Sequence, residues 1–226
     1  VVMMDHYEVF PYVPGSFEGL KVYHAHNAYY KIWSRYATLP GNPAMRTAAW
    51  MESVRVRRCE SRVARNADLV FAAPNDAAEL ASSGVDARKI RNTFHLGDDR
   101  QLDLPSLRLS DSRKRLMYVG FLGWEANALG LLWFIESVWP TLASRHPDLD
   151  FHIVGKGADS RLTDAVARHP GIHLRGFVDD LETVYRRSRV SVAPLRFGSG
   201  MNVKVLDAMA RGMPTVTTSV GAEGIT

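Results

Sequence analysis

Gly198-Ser199-Gly200-Met201-Asn202-Val203-Lys204-Val205-Leu206-Asp207 lies inside a longer run, Val190 to Val216, that reads strand, glycine-rich loop, helix, glycine stop, proline, strand. The spacing places Lys204 in the first turn of the helix that follows the loop. A cation there opposes the helix macrodipole, so the stretch makes electrostatic sense when an anion sits between the lysine and the free amides of the loop. A phosphate or diphosphate fits. The plainer alternative, in which the glycines only permit a tight helix entry and the lysine faces solvent, stays open on this stretch alone.

Outward from that run, the second half alternates short apolar strands with amphipathic helices, the pattern of a parallel sheet covered by helices. Strands are expected at Leu116 to Val119, Phe151 to Val154, Ile172 to Leu174, Val190 to Ala193 and Thr215 to Thr217. The helices expected between them run from Asn127 to Ala143 with Pro140 bending the last turn, from Asp159 to Arg168, after a capping box formed by Asp179 and Glu182, and from Met201 to Arg211. The pattern reads as five crossover units in a row.

The first half is less regular. It offers a strand at Lys21 to Tyr23, a long helix from about Ala44 to Asn66, a strand at Leu69 to Ala72 and a helix near Asp76 to Ala81. In the long helix Met45, Ala49, Val56, Val63 and Ala67 share one face, while Arg55, Arg58, Arg62 and Arg65 gather on the other around Trp50. Glu52 and Glu60 fall beside the apolar stripe, so each is expected to be paired or to face a cleft. Residues 101–115 carry Pro105, serines and mixed charge without a sustained period, which places the boundary between two domains at 104/105.

Composition excludes several classes. At 226 residues, 46% hydrophobic and 23% charged, the chain is an ordinary globular sequence, and its longest apolar run is too short to span a bilayer. A single cysteine, Cys59, rules out an intramolecular disulfide, which points to a reducing, cytoplasmic setting. The net charge of +4 comes with arginines concentrated between Arg46 and Arg65, and there is no zinc-finger spacing or basic heptad region, so nucleic acid is not an expected partner. Gly155-Lys156-Gly157 imitates a dinucleotide fingerprint, but Ser160 stands where the third glycine belongs and Leu174-Arg175-Gly176 supplies no ribose-binding acid. Asp148 and Asp150 flank a turn before a strand, a poor place for a metal pair.

The ordered set Tyr118-Val119-Gly120 with Trp124-x-x-Asn127, Ile153 to Gly157, Gly176 to Asp180, Pro194 to Gly200 and Lys204 to Pro214 resembles the nucleotide-binding domain of the family 4 (group 1) retaining glycosyltransferases, which have the α/β GT-B fold of two Rossmann-like domains with parallel sheets. His26-Asn27, the arginine-rich helix with Glu60, and Ala67 to Val70 look like the later part of that family's acceptor domain. The resemblance implies an acceptor-binding domain over 1–104 and a donor-binding domain over 105–226, both incomplete, with opening strands before Val1 and closing elements after Thr226.

It further implies a nucleotide-diphosphate sugar as donor substrate, no cofactor and no divalent metal, and a sugar or lipid-linked acceptor with peripheral contact at the inner face of the membrane. Gly198, Ser199, Gly200, the helix start at Met201 and Lys204 would hold the diphosphate, Asp207 the ribose, and Gly176, Phe177 and Val178 the base, with Gly120 and Asn202 also in the donor site; His26 would lie near the reacting sugar. His26 and Asp207 are the expected catalytic residues.

Two departures stand out. The family's pair of glutamates falls on Ser199 and Asp207, and Phe121-Leu122-Gly123 replaces the arginine that many members carry after the domain's first strand. A sugar-nucleotide epimerase on the same fold and a non-catalytic nucleotide-binding relative therefore remain as alternatives. His24 and His26 share a strand face and invite a metal reading, which is set aside because no third ligand is in register.

Overall fold

The computed structural model describes residues 1–94 and 101–225. Two parallel sheets organise them. The chain divides into two compact units, one of Val1–Leu96, Phe197–Met201 and Glu223–Thr226, the other of Gly97–Arg196 and Asn202–Ala222. The boundary read at 104/105 is linear, whereas the units are not: the glycine loop and the last residues pack with the first unit, so a single cut point cannot describe them.

In the first unit the strands β1 (Val2–Met4), β2 (Lys21–Ala25), β3 (Leu69–Ala72) and β4 (Ile90–Asn92) lie side by side in that order, all parallel. The helices are α1 (Tyr29–Thr38), α2 (Pro43–Asn66) and α3 (Pro74–Ser82). Met4, Tyr23, Val63, Val70, Ala72 and Leu80 form the core between sheet and helices. Strands β1 and β4 and helix α1 were not marked by periodicity. α1 buries none of its residues fully, although Tyr29, Tyr30, Ile32 and Tyr36 make its sequence amphipathic.

α2 follows its expected stripe with one correction. Ala49, Val56 and Val63 are buried, but Met45, in the first turn, is exposed. Of the two acids beside the stripe, Glu52 pairs with Arg55 (Nε–Oε2 2.7 Å). Glu60, only 3% exposed, instead accepts hydrogen bonds from the backbone N–H groups of Tyr29 (2.7 Å) and Tyr30 (3.2 Å), the first residues of α1. A carboxylate thus satisfies the orphan amides of a helix that has no capping side chain of its own.

The second unit holds β5 (Arg115–Val119), β6 (Asp150–Val154), β7 (Ile172–Gly176), β8 (Val190–Ala193) and β9 (Thr215–Thr217), parallel in the order β7-β6-β5-β8-β9. Five strands are joined by four crossover connections, one fewer than the sequence pattern suggested. Tyr118, Phe151, Ile153 and Val192 face a core with α4 (Glu125–Trp133), a π-helical turn at Phe134–Val138, α5 (Trp139–Arg145) and α6 (Ser160–Ala167). Met117 faces the other side with α7 (Leu181–Arg187) and α8 (Val203–Ala210).

Three local expectations need correction. The helix read as continuous from Asn127 to Ala143 is α4 and α5 joined through the π turn, because Pro140, in the first turn of α5, cannot donate to the preceding helical turn. α7 is capped by Asp180, whose carboxylate accepts from the N–H of Glu182 (2.9 Å), not by Asp179; Glu182 is drawn away to a bidentate pair with Arg211. α8 begins at Val203 rather than Met201, with Asn202 as its cap residue.

Candidate functional site

In the second unit the C-terminal ends of the parallel strands form a ledge. Gly120 follows β5, Gly155 follows β6, and β7 ends at Gly176. Gly120 N–H donates to the Val154 carbonyl (3.1 Å), Gly155 N–H to Gly176 (2.8 Å) and Leu122 N–H to Lys156 (2.7 Å). The turns sit so close that a Cβ on Gly155, whose φ is +149°, would lie 1.8 Å from the Gly120 carbonyl oxygen. This is where ligands bind in open parallel α/β sheets.

Lys204, in the first turn of α8, projects over this ledge. A Cβ on Gly120 would stand 3.0 Å from Lys204 Cε, and the ammonium lies 5.6 Å from the centre of the Tyr118 ring. Its Nζ donates to the side-chain oxygens of Asn127 (3.1 Å) and Asn202 (3.3 Å). Both partners are neutral amides, and no carboxylate pairs with Lys204 among the described residues. Burial pulls the ammonium down to about 8.

Asn127, buried in the first turn of α4, is fixed by its own donation to the Phe121 carbonyl (2.6 Å). It stood out in the sequence only as a landmark, and its role as a partner of Lys204 emerges from the fold. Asp207 is one turn along α8; burial, then the charge of Asp207, push the Tyr185 phenol up to about 12. Phe177 is 60% exposed after β7, with the Lys156 ammonium 4.1 Å from its ring centre.

In the first unit the glycine loop meets the end of β2. Gly198 and Gly200 have φ of +148° and +79°, and a methyl group at Gly200 would strike the Asn27 amide at 1.8 Å. In the orientation its surroundings require, the Asn27 amide nitrogen donates to the carbonyls of Ser199 (2.8 Å) and His26 (2.9 Å). Arg35 on α1 donates to the Gly198 carbonyl (2.6 Å) and pairs with Glu223 (2.7 Å), which also pairs with Lys31 (3.1 Å). Glu223 and Arg35 had no sequence signal, because 188 residues separate them. The Ser199 hydroxyl is buried without a partner among the described residues.

His26 follows directly on β2. The parallel register pairs Met4 with Tyr23, which brings the next residue, Asp5, beside His24 and His26. Asp5 Oδ1 accepts from His24 Nδ1 (3.0 Å) and His26 Nε2 (2.8 Å), and these bonds, His26's first, hold its carboxyl below the usual range. His24 and His26 line a pocket of about 360 Å³ with Ala73, Thr93, Phe94 and Met201.

Of the residues the sequence singled out, Gly120, Asn202 and Lys204 thus come together in the second unit, where Gly176 closes the same ledge. Ser199, Gly200 and His26 come together in the first. The family model described as "Glycosyl transferases group 1" matches residues 113–226. The chain belongs to this family. Its two parallel α/β sheets match those of solved glycosyltransferases of the GT-B fold.

A Klebsiella pneumoniae relative described as an uncharacterized 44.6 kDa protein in the cps region is 29% identical over 116 residues, 48% of this chain and 30% of the relative. Among solved structures, sucrose-phosphate synthase from Thermosynechococcus elongatus superposes with a TM-score of 0.66 at 17% identity over 97% of this chain and 56% of that one. Anabaena HepE, solved in complex with UDP-glucose, gives 0.64 at 16% identity over 92% and 56%. These likenesses are of fold. The group 1 chain described here spans about half the length of those two structures and under a third of the Klebsiella relative. No helix among its described residues is long and apolar enough to cross a membrane.

Proposed function

We propose that this group 1 glycosyltransferase transfers a sugar, with retention of anomeric configuration, from a nucleotide-diphosphate donor to a sugar or lipid-linked acceptor in polysaccharide or glycoconjugate synthesis. The observation that carries the reading is Lys204. Among the described residues a partly buried ammonium, hydrogen-bonded to two neutral amides at the N-terminal end of a helix that repels cations, has no carboxylate partner, and a diphosphate would supply the anion. The loop Gly198 to Gly200 runs through Met201 and Asn202 directly into α8. Charge that develops on the leaving diphosphate is where such preorganised donors lower the barrier most.

In this reading Asp207 accepts from the ribose hydroxyls, Gly176, Phe177 and Val178 form the wall for the base, and His26, aimed by Asp5, lies near the reacting sugar. The UDP-glucose bound by the Anabaena neighbour and the cps location of the Klebsiella relative support the donor class and the pathway class. The exposed Trp50 and the arginines of α2 offer a basic, partly apolar face for a lipid-linked acceptor at the inner surface of a membrane.

The test is proton NMR of the products formed from α-linked UDP-, GDP- and ADP-glucose with an added panel of sugar and polyprenyl-phosphate acceptors. An α-linked product from one donor is expected. A β-linked product would overturn retention, and isomerised donor without transfer would replace the reading by that of an epimerase.

A further inference from the structure

We propose, resting on the diphosphate reading above, that Asn27 and Arg35 are positioning residues that aim the backbone N–H groups of Ser199 and Gly200 at the anion. Two successive carbonyls of the glycine loop are held by side chains of the first unit. Arg35 Nη1 donates to the Gly198 carbonyl (2.6 Å), and the Asn27 amide nitrogen donates to that of Ser199 (2.8 Å). A trans peptide unit is planar, so its N–H points away from its C=O. Fixing the Gly198 carbonyl therefore turns the Ser199 N–H in the opposite direction, and fixing the Ser199 carbonyl does the same for the Gly200 N–H. Neither N–H has an acceptor among the described residues. Successive N–H groups left free in this way are the pattern with which phosphate loops take an anion.

The two positioning side chains are themselves fixed. Arg35 meets Glu223 through both Nη1 (2.7 Å) and Nη2 (3.0 Å), and Lys31 braces the same carboxylate at 3.1 Å. The guanidinium charge is thereby matched, so Arg35 acts on the loop and not as a ligand of the anion. Its charged donation also polarises the Gly198–Ser199 peptide, which makes the Ser199 N–H a stronger donor. Asn27 is pinned by a second donation, to the His26 carbonyl (2.9 Å). Gly200 lets it approach, because a Cβ there would stand 1.8 Å from the Asn27 amide.

The experiment is NMR titration of the isotope-labelled 226-residue chain with inorganic pyrophosphate, a probe that does not depend on the base of the donor. The Ser199 and Gly200 amides are expected to shift downfield as they take up the anion. Arg35→Met and Asn27→Ala are each expected to weaken pyrophosphate about fivefold or more and to abolish the shift of the amide they aim, Ser199 and Gly200 respectively. Arg35→Lys, which keeps a donor for Gly198 and a charge for Glu223, is expected to fold as the parent does and to lose less.

Pyrophosphate bound with both amides unshifted would overturn the positioning role, as would parent affinity and parent shifts in Arg35→Met and Asn27→Ala. A Lys204→Ala variant that binds pyrophosphate as tightly as the parent, with both amide shifts intact, would instead overturn the role of Lys204 and leave Asn27 and Arg35 in theirs. A parent chain that takes up no pyrophosphate would overturn both.

Discussion

Lys204 holds the tension between stability and binding in this protein. Without an anion its ammonium is a liability: burial lowers its pKa to about 8 from 10.5, so below pH 8 the folded chain carries a charge that the unfolded chain would hold at no cost. The penalty is relieved as pH rises from about 8 to 10.5. Replacing the lysine with a nonpolar chain of similar length removes it, so Lys204→Met is expected to stabilise the protein without nucleotide by about 1–3 kcal/mol at pH 7. The gain should vanish toward pH 10.5. Thermal melts of both proteins across that range check this, and a methionine variant that melts lower than the parent at pH 7 would show that the ammonium already has an anionic partner within the fold. Asn127 and Asn202 are suited to holding Lys204 for a ligand because amide oxygens orient an ammonium without neutralising it.

At the scale of elements, α1 depends on α2. Its first amides are satisfied by Glu60, and burial pushes that carboxyl up to about 7, against the opposing effect of the Tyr29 and Tyr30 N–H groups. An acid with a raised folded pKa contributes stability that is fully present below its unfolded value of 4.5 and is lost as pH rises through 7. Glu60→Gln keeps an acceptor for α1 without the charge, so it is expected to be less sensitive to pH between 4.5 and 7 and to exceed the parent in stability at pH 8 by up to about 3 kcal/mol. Asp76, which burial pushes up to about 6, leaves the variant a residual slope of the same sign. Denaturant titrations at several pH values decide it; parallel curves for the two proteins would contradict the burial cost assigned to Glu60.

The same elements explain what could be seen in advance. The five strands of the second unit were legible because each is a short apolar run that ends at a turn, and α2 because its stripe repeats over 24 residues. The start of α1 was hidden because the group that satisfies its first amides, Glu60, lies 31 residues away. The cap of α7 was misplaced by one residue because Asp179 and Asp180 both satisfy the sequence pattern, and the competition of Arg211 for Glu182 cannot be read along the chain.

For the whole molecule, local motifs identified the family while long-range pairings set the surroundings of the candidate residues. Gly198, Gly200 and Lys204, the residues of the proposed anion cradle, fall within seven residues of sequence. Asn127 beneath Lys204, Arg35 and Glu223 beside Gly198, and Asp5 beneath His26 come from parallel strand order and helix placement, so no window along the chain contains them. Ser199 shows the limit from the other side: its departure from the family pattern is plain in sequence, yet the burial of its hydroxyl, without a partner among the described residues, appears only in the fold.

The central claim, that the glycine loop and Lys204 hold a diphosphate, is tested most directly by calorimetric titration with uridine, guanosine and adenosine diphosphates, each beside its monophosphate, and of the best ligand against Lys204→Ala. The account predicts one base preferred, the diphosphate bound more tightly than the monophosphate, and that preference lost in the variant at a cost of about 1.5–3 kcal/mol, the worth of a charged hydrogen bond. Equal affinity for mono- and diphosphate, or a Lys204→Ala variant that binds as tightly as the parent, would contradict it.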